Sequence, residues 1–304
     1  MTSPASALPV QSAKIIWPNW STATSSTGPR LLVLLPALFI AGTFGLATAV
    51  FVWNGFSGGP AAPDAGLTFD NYRRVLGDSY NWRVLFTTTR ISLIVVVLTA
   101  LISYPLALAI ARNRTWWAQL FLGVVLASST MSLVIRALGW IGLLDTNGWL
   151  NAALSWLGVI SRPMRILGTE TGVIIGLVHG FVPLLTLTLV PVLQNIDPAL
   201  EDAAAGLGAQ RWEQLWRVTL PLSMPGLISG SFLVFAMSMG AYTTPALLGG
   251  GRTVVFSELI QQQVLLLLDF HSGAVLAITL LALVLTAVGI ASALTRVRLQ
   301  GLGA

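Results

Sequence analysis

The sequence predicts an all-α integral membrane protein with six transmembrane helices. Three observations carry this prediction: 55% of the 304 residues are hydrophobic, only 9% are charged, and the mean hydropathy is +0.81. An ordinary soluble domain carries about a quarter charged residues, so this composition excludes a soluble globular enzyme. Apolar runs that reach the length of about 20 residues needed to cross a bilayer recur along the chain.

Each span is predicted from an apolar stretch between charged residues. The first follows Arg30, the second lies between Arg90 and Arg112, and the third contains one charge, Arg136. Prolines in or near the spans are tolerated because neighbouring helices satisfy the freed backbone groups. The predicted spans cover residues 31–53, 91–111, 117–144, 171–194, 222–242 and 272–294.

The segments outside the spans predict the domain organisation. Residues 1–29 are rich in Ser, Thr and Pro and lack an apolar core, which favours a flexible cytoplasmic tail over the alternative of a cleaved signal peptide. Residues 30–304 are then the six-helix domain. Residues 249–269 predict a glycine turn followed by an amphipathic helix at the outer surface.

The orientation is predicted from basic residues beside the spans. Arg112 and Arg114 lie in a tight turn, and Arg296 and Arg298 follow the last span directly. Because short cytoplasmic loops carry an excess of Lys and Arg, we expect both termini on the cytoplasmic side.

Composition also limits the chemistry. The formal charge is +5, but the cations lie scattered between apolar runs, which indicates contact with lipid rather than nucleic acid. The chain has no Cys, and its two His, His179 and His271, are too far apart for a helical zinc pair. The run GFSGG at 55–59 fits a nucleophile turn but follows a spanning helix, so we interpret it as a flexible turn. No catalytic residue, metal site or cofactor site is expected.

Residues 195–221, between the fourth and fifth spans, contain the most informative pattern. Asp197 can cap a helix whose first turn holds Pro198, and Gly208 can end that helix. The alanines between them leave a face that another backbone or a groove can approach closely.

A second helix is expected from about Gln210. Its Trp212, Leu215 and Trp216 form an apolar stripe that needs a partner. The alternative is an interfacial helix that rests on lipid.

This loop resembles the EAA loop of bacterial ABC importer permeases. Three residues separate Asp202-Ala203-Ala204 from Gly208, and nine more precede Val218-Thr219-Leu220-Pro221. Asp202 replaces the usual Glu and Val218 the usual Ile, while Glu201 can share the acidic role. The runs LTFDNYRRVL, SYPLALAIAR, LVIRALGWIGLLDTNGWLN and YTTPALLGGG are similar to those of the polyamine (spermidine/putrescine) type.

The resemblance implies the type I ABC importer permease (MetI-like) fold and a bacterial inner-membrane subunit that forms half of a solute pathway. The implied solute is a polyamine, with an amino acid, an opine or another small solute as alternatives. The implied partners are a second homologous permease, two cytoplasmic ATPases that bind Mg-ATP, and an extracytoplasmic solute-binding protein. The loop would be the coupling helix seated in an ATPase groove, with the implied site residues Glu201, Asp202, Ala203, Ala204, Gly208, Leu220 and Pro221.

Arg136, Trp140 and Tyr242 are candidates for the translocation pathway. A charge inside a span costs several kcal/mol unless it faces protein or water. Alternatively, Arg136 extends to the outer interface, since the 21 uncharged residues 115–135 already suffice to cross. Trp140 and Tyr242 could stack on an ammonium group or belong to an interfacial belt. His179 is interpreted as a packed helix contact rather than a proton relay.

Two other function classes fit less well. An ion-coupled carrier would normally show acidic residues inside its spans or paired broken helices at its binding site, and none of the predicted spans holds a central Asp or Glu. An intramembrane enzyme would need a catalytic constellation that these residues do not form.

Overall fold

The computed structural model describes residues 27–58, 66–113 and 115–301. The chain divides into two units, Met1–Val50 and Phe51–Ala304. Most of the predicted tail, residues 1–26, lies outside the described residues, and the first helix begins at Thr27. The helices are α1 (Thr27–Phe56), α2 (Asp70–Gly77), α3 (Ser79–Arg112), α4 (Trp116–Thr130), α5 (Leu133–Leu144), α6 (Trp149–Trp156), α7 (Glu170–Gln194), α8 (Pro198–Gly206), α9 (Arg211–Gln214), α10 (Leu220–Met239), α11 (Thr243–Leu248), α12 (Phe256–Gln261) and α13 (Phe270–Gly301).

The described residues confirm an all-helical fold with up to six spans. Five continuous helical stretches are long and apolar enough to cross a membrane, in α1, α3, α7, α9–α10 and α13. The helix α4 and the helical stretch of α5 and α6 are bent by 106° at the break between them, and they count as a sixth span if the bent pair crosses as one. Across the described ranges, the extended structure is one isolated bridge between Ser57 and Leu67.

The third span differs from its prediction as a single stretch over residues 117–144. It breaks after Thr130, where Met131 and Ser132 adopt extended backbone angles. The run before the break is Ser128-Ser129-Thr130, and the Ser129 and Thr130 hydroxyls donate to the carbonyls of Leu126 and Ala127. Such side chains compete with the helical backbone hydrogen bonds, which explains why the helix ends here.

The fifth span begins earlier than predicted. A π-helical turn, Leu215–Thr219, joins α9 to α10, so the helix is continuous over Arg211–Met239. Pro221 lacks the N–H that a helix interior requires, but it lies in the first turn of α10, where that loss is tolerated.

The core is centred on α7, which packs against α3, α4 and α10. Leu185, Leu189 and Leu193 are fully buried and repeat every four residues along α7. Gly230 of α10 permits the close approach, because a Cβ there would lie 2.5 Å from Cδ1 of Leu185.

The second unit has two ends, which we name after the short helices α8 and α2 that lie there. The α8 end contains α8, α9 and the C-termini of α3 and α7, whereas the α2 end contains α2, α12 and the N-termini of α3 and α13. At the α2 end, Asp269 accepts hydrogen bonds from the backbone and hydroxyl of Ser272 and pairs with Arg74 at 3.3 Å. Burial by itself raises the pKa of Asp269, but these hydrogen bonds and the nearby Arg74 outweigh it and hold the pKa below the usual aspartate value.

The amphipathic helix predicted within residues 249–269 is short. It comprises α12 and a π-helical segment, Gln262–Leu266. Phe256 and Leu259 are buried in a cluster with residues of α3 and α13, and the Phe256 N–H donates to Oγ1 of Thr88 at 2.8 Å. The apolar face of α12 therefore packs on the protein itself.

Candidate functional site

The local structure of α8 matches the pattern of its sequence. Oδ1 of Asp197 accepts from the N–H of Ala199 at 2.9 Å, and Pro198 occupies the first turn. The helix stops before Gly208, whose φ of +89° is a conformation that favours glycine. The predicted start and end of this helix are thus confirmed.

Glu201 ties α8 to the membrane-spanning part of the chain. Its Oε1 accepts from Nη2 of Arg112 and from Oγ1 of Thr219, both at 2.7 Å. Arg112, the last residue of α3, also donates from Nη1 to the carbonyl of Ile196 at 3.1 Å. Glu201 therefore connects α8, the end of α3 and the π-helical turn before α10.

The two neighbouring acids have different surroundings. Glu201 is largely covered, whereas Asp202 is exposed and makes no ion pair within the described residues. Asp202, which occupies the acidic position of the motif, is thus exposed to solvent. Glu201, the residue before it, makes the contacts within the chain.

The outward face of α8 is uncovered. No residue of α8 is buried, and the Leu207 side chain that follows it is 91% exposed. The exposed Trp212 and Trp216 lie edge to face with ring centroids 5.3 Å apart. We call residues 198–216 the α8 face; it contains the short helix α8, the exposed Leu207 and the aromatic pair, whose Trp216 also lines a groove with residues of α3 and α10.

The remaining motif residues take supporting positions. The carbonyls of Ala203 and Ala204 accept from the N–H groups of Leu207 and Ala209, which closes the C-terminus of α8. Leu220 and Pro221 begin α10 rather than join the α8 face.

Sequence reasoning missed Leu207, and it did not connect Arg112 and Thr219 with Glu201. Arg112 entered the prediction only through its charge, and 89 residues separate it from Glu201. Thr219 occupies the variable position of the Val218-Thr219-Leu220-Pro221 motif, so its type carries no signal. The high exposure of Leu207 could have been suspected from its place directly before the helix-ending Gly208.

Among the pathway candidates, Trp140 is tied to α7. Its Nε1–H donates to Nδ1 of His179 at 3.2 Å, and the two rings meet edge to face. His179 is thus a hydrogen-bonded helix contact, as interpreted from the sequence. The α5 helix that carries Trp140 also packs against α11.

Arg136 is buried, with 8% of its surface exposed. Its Nη2 donates to the carbonyls of Ser128 at 2.5 Å and Met131 at 3.3 Å. The guanidinium therefore lies against the end of α4 rather than extending away from the protein.

Tyr242 precedes α11 directly and is 37% exposed. Next to it in the chain, the carbonyl of Ala241 accepts from Oγ of Ser257 at 2.5 Å. Glu258, the next residue after Ser257, is partly buried, and its Oε2 finds no hydrogen-bond partner within the described part of the chain. Burial raises the pKa of Glu258, and a hydrogen bond with the Val255 backbone opposes this effect.

Comparison with known proteins identifies the family. Residues 31–294 match the family described as the binding-protein-dependent transport system inner membrane component. The spermidine/putrescine transport system permease protein PotB of Escherichia coli K12 is 34% identical over 252 residues, which cover 82% of this chain and 87% of that protein. The PotB protein of Haemophilus influenzae is 33% identical over 217 residues, which cover 71% of this chain and 76% of that protein.

A solved structure supports the fold. A chain in the crystal structure of a bacterial alginate ABC transporter, in complex with an alginate pentasaccharide-bound periplasmic protein, aligns with a TM-score of 0.76 and 20% identity. The alignment covers 88% of this chain and 94% of that chain. The family match places this chain in the inner membrane, in a transport system that depends on a binding protein. The chain therefore belongs to the binding-protein-dependent transport system inner membrane components and is a permease subunit of an ABC importer, not an enzyme.

Proposed function

We propose that this chain forms half of a polyamine pathway, paired with a second, homologous permease, with both of its termini in the cytoplasm. The spermidine/putrescine permeases at 33–34% identity support the solute. The basic residues at this end of the chain support the orientation: Arg112 is the last residue of α3, Arg114 follows it by two positions in the sequence, and short cytoplasmic loops are rich in Lys and Arg.

The α8 face is the observation that carries the transport mechanism. It is exposed, apolar at Leu207, and anchored to α3 through the Glu201–Arg112 pair. In the proposal this face docks in a groove of a cytoplasmic ATPase, which binds Mg-ATP, while this chain itself holds no cofactor. Movement of α8 then reaches the spanning helices through Glu201, because the ion pair and the bond to Thr219 link them directly.

A polyamine must meet groups that stabilise its positive charge. A cation near the face of an aromatic ring gains about 0.5–2 kcal/mol, depending on desolvation. Tyr242 and Trp140 can supply such faces, and Glu258 can supply a carboxylate. Ser257, the residue before Glu258, donates to the carbonyl of Ala241, the residue before Tyr242. The described chain thus offers both aromatic faces and a carboxylate to a cation.

The solute and Tyr242 are tested together. In proteoliposomes that contain the complete importer and saturating polyamine-loaded binding protein, we expect ATP-driven uptake of putrescine or spermidine. Tyr242→Phe should retain nearly normal uptake, because the aromatic face remains, and Tyr242→Ala should lose most of it. Tyr80→Ala, at an exposed tyrosine of α3, is the matched control and should transport normally.

Either of two results would contradict this part of the proposal. Uptake of an amino acid but no polyamine by the wild-type importer would remove the proposed solute. Equal uptake by the Phe and Ala variants would remove Tyr242 from the pathway while leaving the solute in place.

The orientation is tested by thiol labelling, since the natural chain has no Cys. Single cysteines at Gln210 and Gln300 should react in whole cells only with membrane-permeant reagents. Single cysteines at Gly66 and Arg252 should also react with impermeant ones. The reverse pattern would place the α8 face outside the cell and separate it from any cytoplasmic ATPase.

A further inference from the structure

The break in the third span leaves backbone groups to be satisfied at membrane depth. The α4 helix has 15 residues and is about 22 Å long at 1.5 Å per residue, short of the roughly 30 Å hydrocarbon core. The last carbonyls of a helix have no partner inside the helix. Because lipid offers no hydrogen-bond donor, the carbonyls at the end of α4 need a donor from the protein. The Ser129 and Thr130 hydroxyls donate to the carbonyls of Leu126 and Ala127, and the Met131 N–H donates to the carbonyl of Ser128 at 3.4 Å.

Arg136 supplies a further donor from the first turn and a half of α5. Its Nη2 reaches the carbonyls of both Ser128 and Met131, on the two sides of Thr130 where α4 ends. The carbonyl end of a helix also carries a partial negative charge, which a cation stabilises. These two hydrogen bonds offset part of the cost of burying the guanidinium, whose Nε is buried without a partner among the described residues.

On the facing helix α7, Gly180 leaves room for the Arg136 side chain. A Cβ at Gly180 would lie 3.1 Å from Nη1 of Arg136, which is the one contact with another helix within 4 Å in the described part of the chain. One turn further along α5, Trp140 donates to His179, the residue before Gly180. Two successive turns of α5 therefore meet two adjacent residues of α7.

We propose that Arg136 is a positioning residue that clamps the bent third span. It holds α5 to the end of α4 and against α7, and α5 in turn packs on α11, which follows Tyr242. The guanidinium acts on transport by fixing these helices and does not contact the solute. This proposal requires that the chain transports a solute but not that the solute is a polyamine.

The first test is a double-mutant cycle measured as uptake at saturating binding protein. Gly180→Ala should reduce uptake in the wild-type background, because its methyl group crowds Nη1. The same substitution should have little effect in Arg136→Met, which lacks that atom. Uptake by the double variant should therefore be roughly threefold or more higher than the two single losses combined would give. Gly139→Ala, on α5 with no atom within 4 Å of the added Cβ, is the matched control and should leave uptake unchanged.

The second test reports the conformation of the break directly. Oγ of Ser128 is buried without a partner within the described residues, so a single cysteine at Ser128 should react slowly with a permeant maleimide. Labelling should become several-fold faster in Arg136→Met. Arg136→Lys, which keeps a donor, should restore slow labelling and part of the uptake.

Two outcomes would overturn the clamp. One is an unchanged labelling rate in Arg136→Met together with lost uptake, which would indicate direct action on the solute. The other is an equal loss from Gly180→Ala in both backgrounds, which would show that Gly180 acts independently of Arg136. If the wild-type importer takes up no polyamine, the proposed solute is wrong. Both tests of the clamp can then be repeated with whichever solute the importer does transport.

Discussion

Replacing Leu207 by Asp should abolish ATP-driven uptake while the permease still folds and inserts. Leu207 is 91% exposed, so the substitution removes almost no contact within the chain. In a groove of an ATPase, however, the new carboxylate would be buried without a partner, which strongly opposes docking. The measurement is co-purification of the ATPase subunit with the permease, together with uptake in proteoliposomes.

Leu157→Asp provides the matched control. Leu157 is also an exposed leucine, at 62%, but it follows α6 and lies outside the α8 face. This variant should retain the ATPase subunit. If Leu207→Asp co-purifies with the ATPase as well as the control does, the α8 face is not the docking surface.

Glu201→Gln should reduce both uptake and the thermal stability of the purified permease, whereas Asp202→Asn should reduce uptake without changing stability. Gln at 201 cannot pair with the Arg112 charge, and the loss of a partly covered, charge-assisted hydrogen bond costs about 1–3 kcal/mol. Asp202 is exposed, so its role would lie in contact with the ATPase. The midpoint of thermal unfolding in detergent and uptake in proteoliposomes separate the two roles.

Arg112 offers an independent check of this difference. Arg112→Gln should lower the stability about as much as Glu201→Gln, and the double variant should lose little more, because both changes break one interaction. Unchanged stability in both single variants would show that the pair does not hold α8. A stability loss in Asp202→Asn equal to that in Glu201→Gln would remove the distinction between the two acids.

The positions of most spans follow from composition, since burial of apolar side chains and the length of a helix across lipid depend mainly on local sequence. The α7 helix, predicted over residues 171–194, covers Glu170–Gln194. The short helix α8 was likewise predictable, because Asp197, Pro198 and Gly208 act on the backbone through their own side chains and conformational preferences. Its motif also identified the family, which the comparisons confirmed.

Other features depend on contacts between segments that are distant in the chain. No local pattern shows that Glu201 rather than Asp202 is paired, because only the packing of α3 beside α8 brings Arg112 to Glu201. The bend after Thr130 was hidden because Ser and Thr are also tolerated within membrane helices, where hydrophobicity alone predicts a straight span. The sequence by itself therefore determined where the apolar helices lie and that a short helix forms after Asp197. The tertiary structure decided which charges are paired and where Arg136 lies, because a buried charge is stable only where the fold brings hydrogen-bond partners to it.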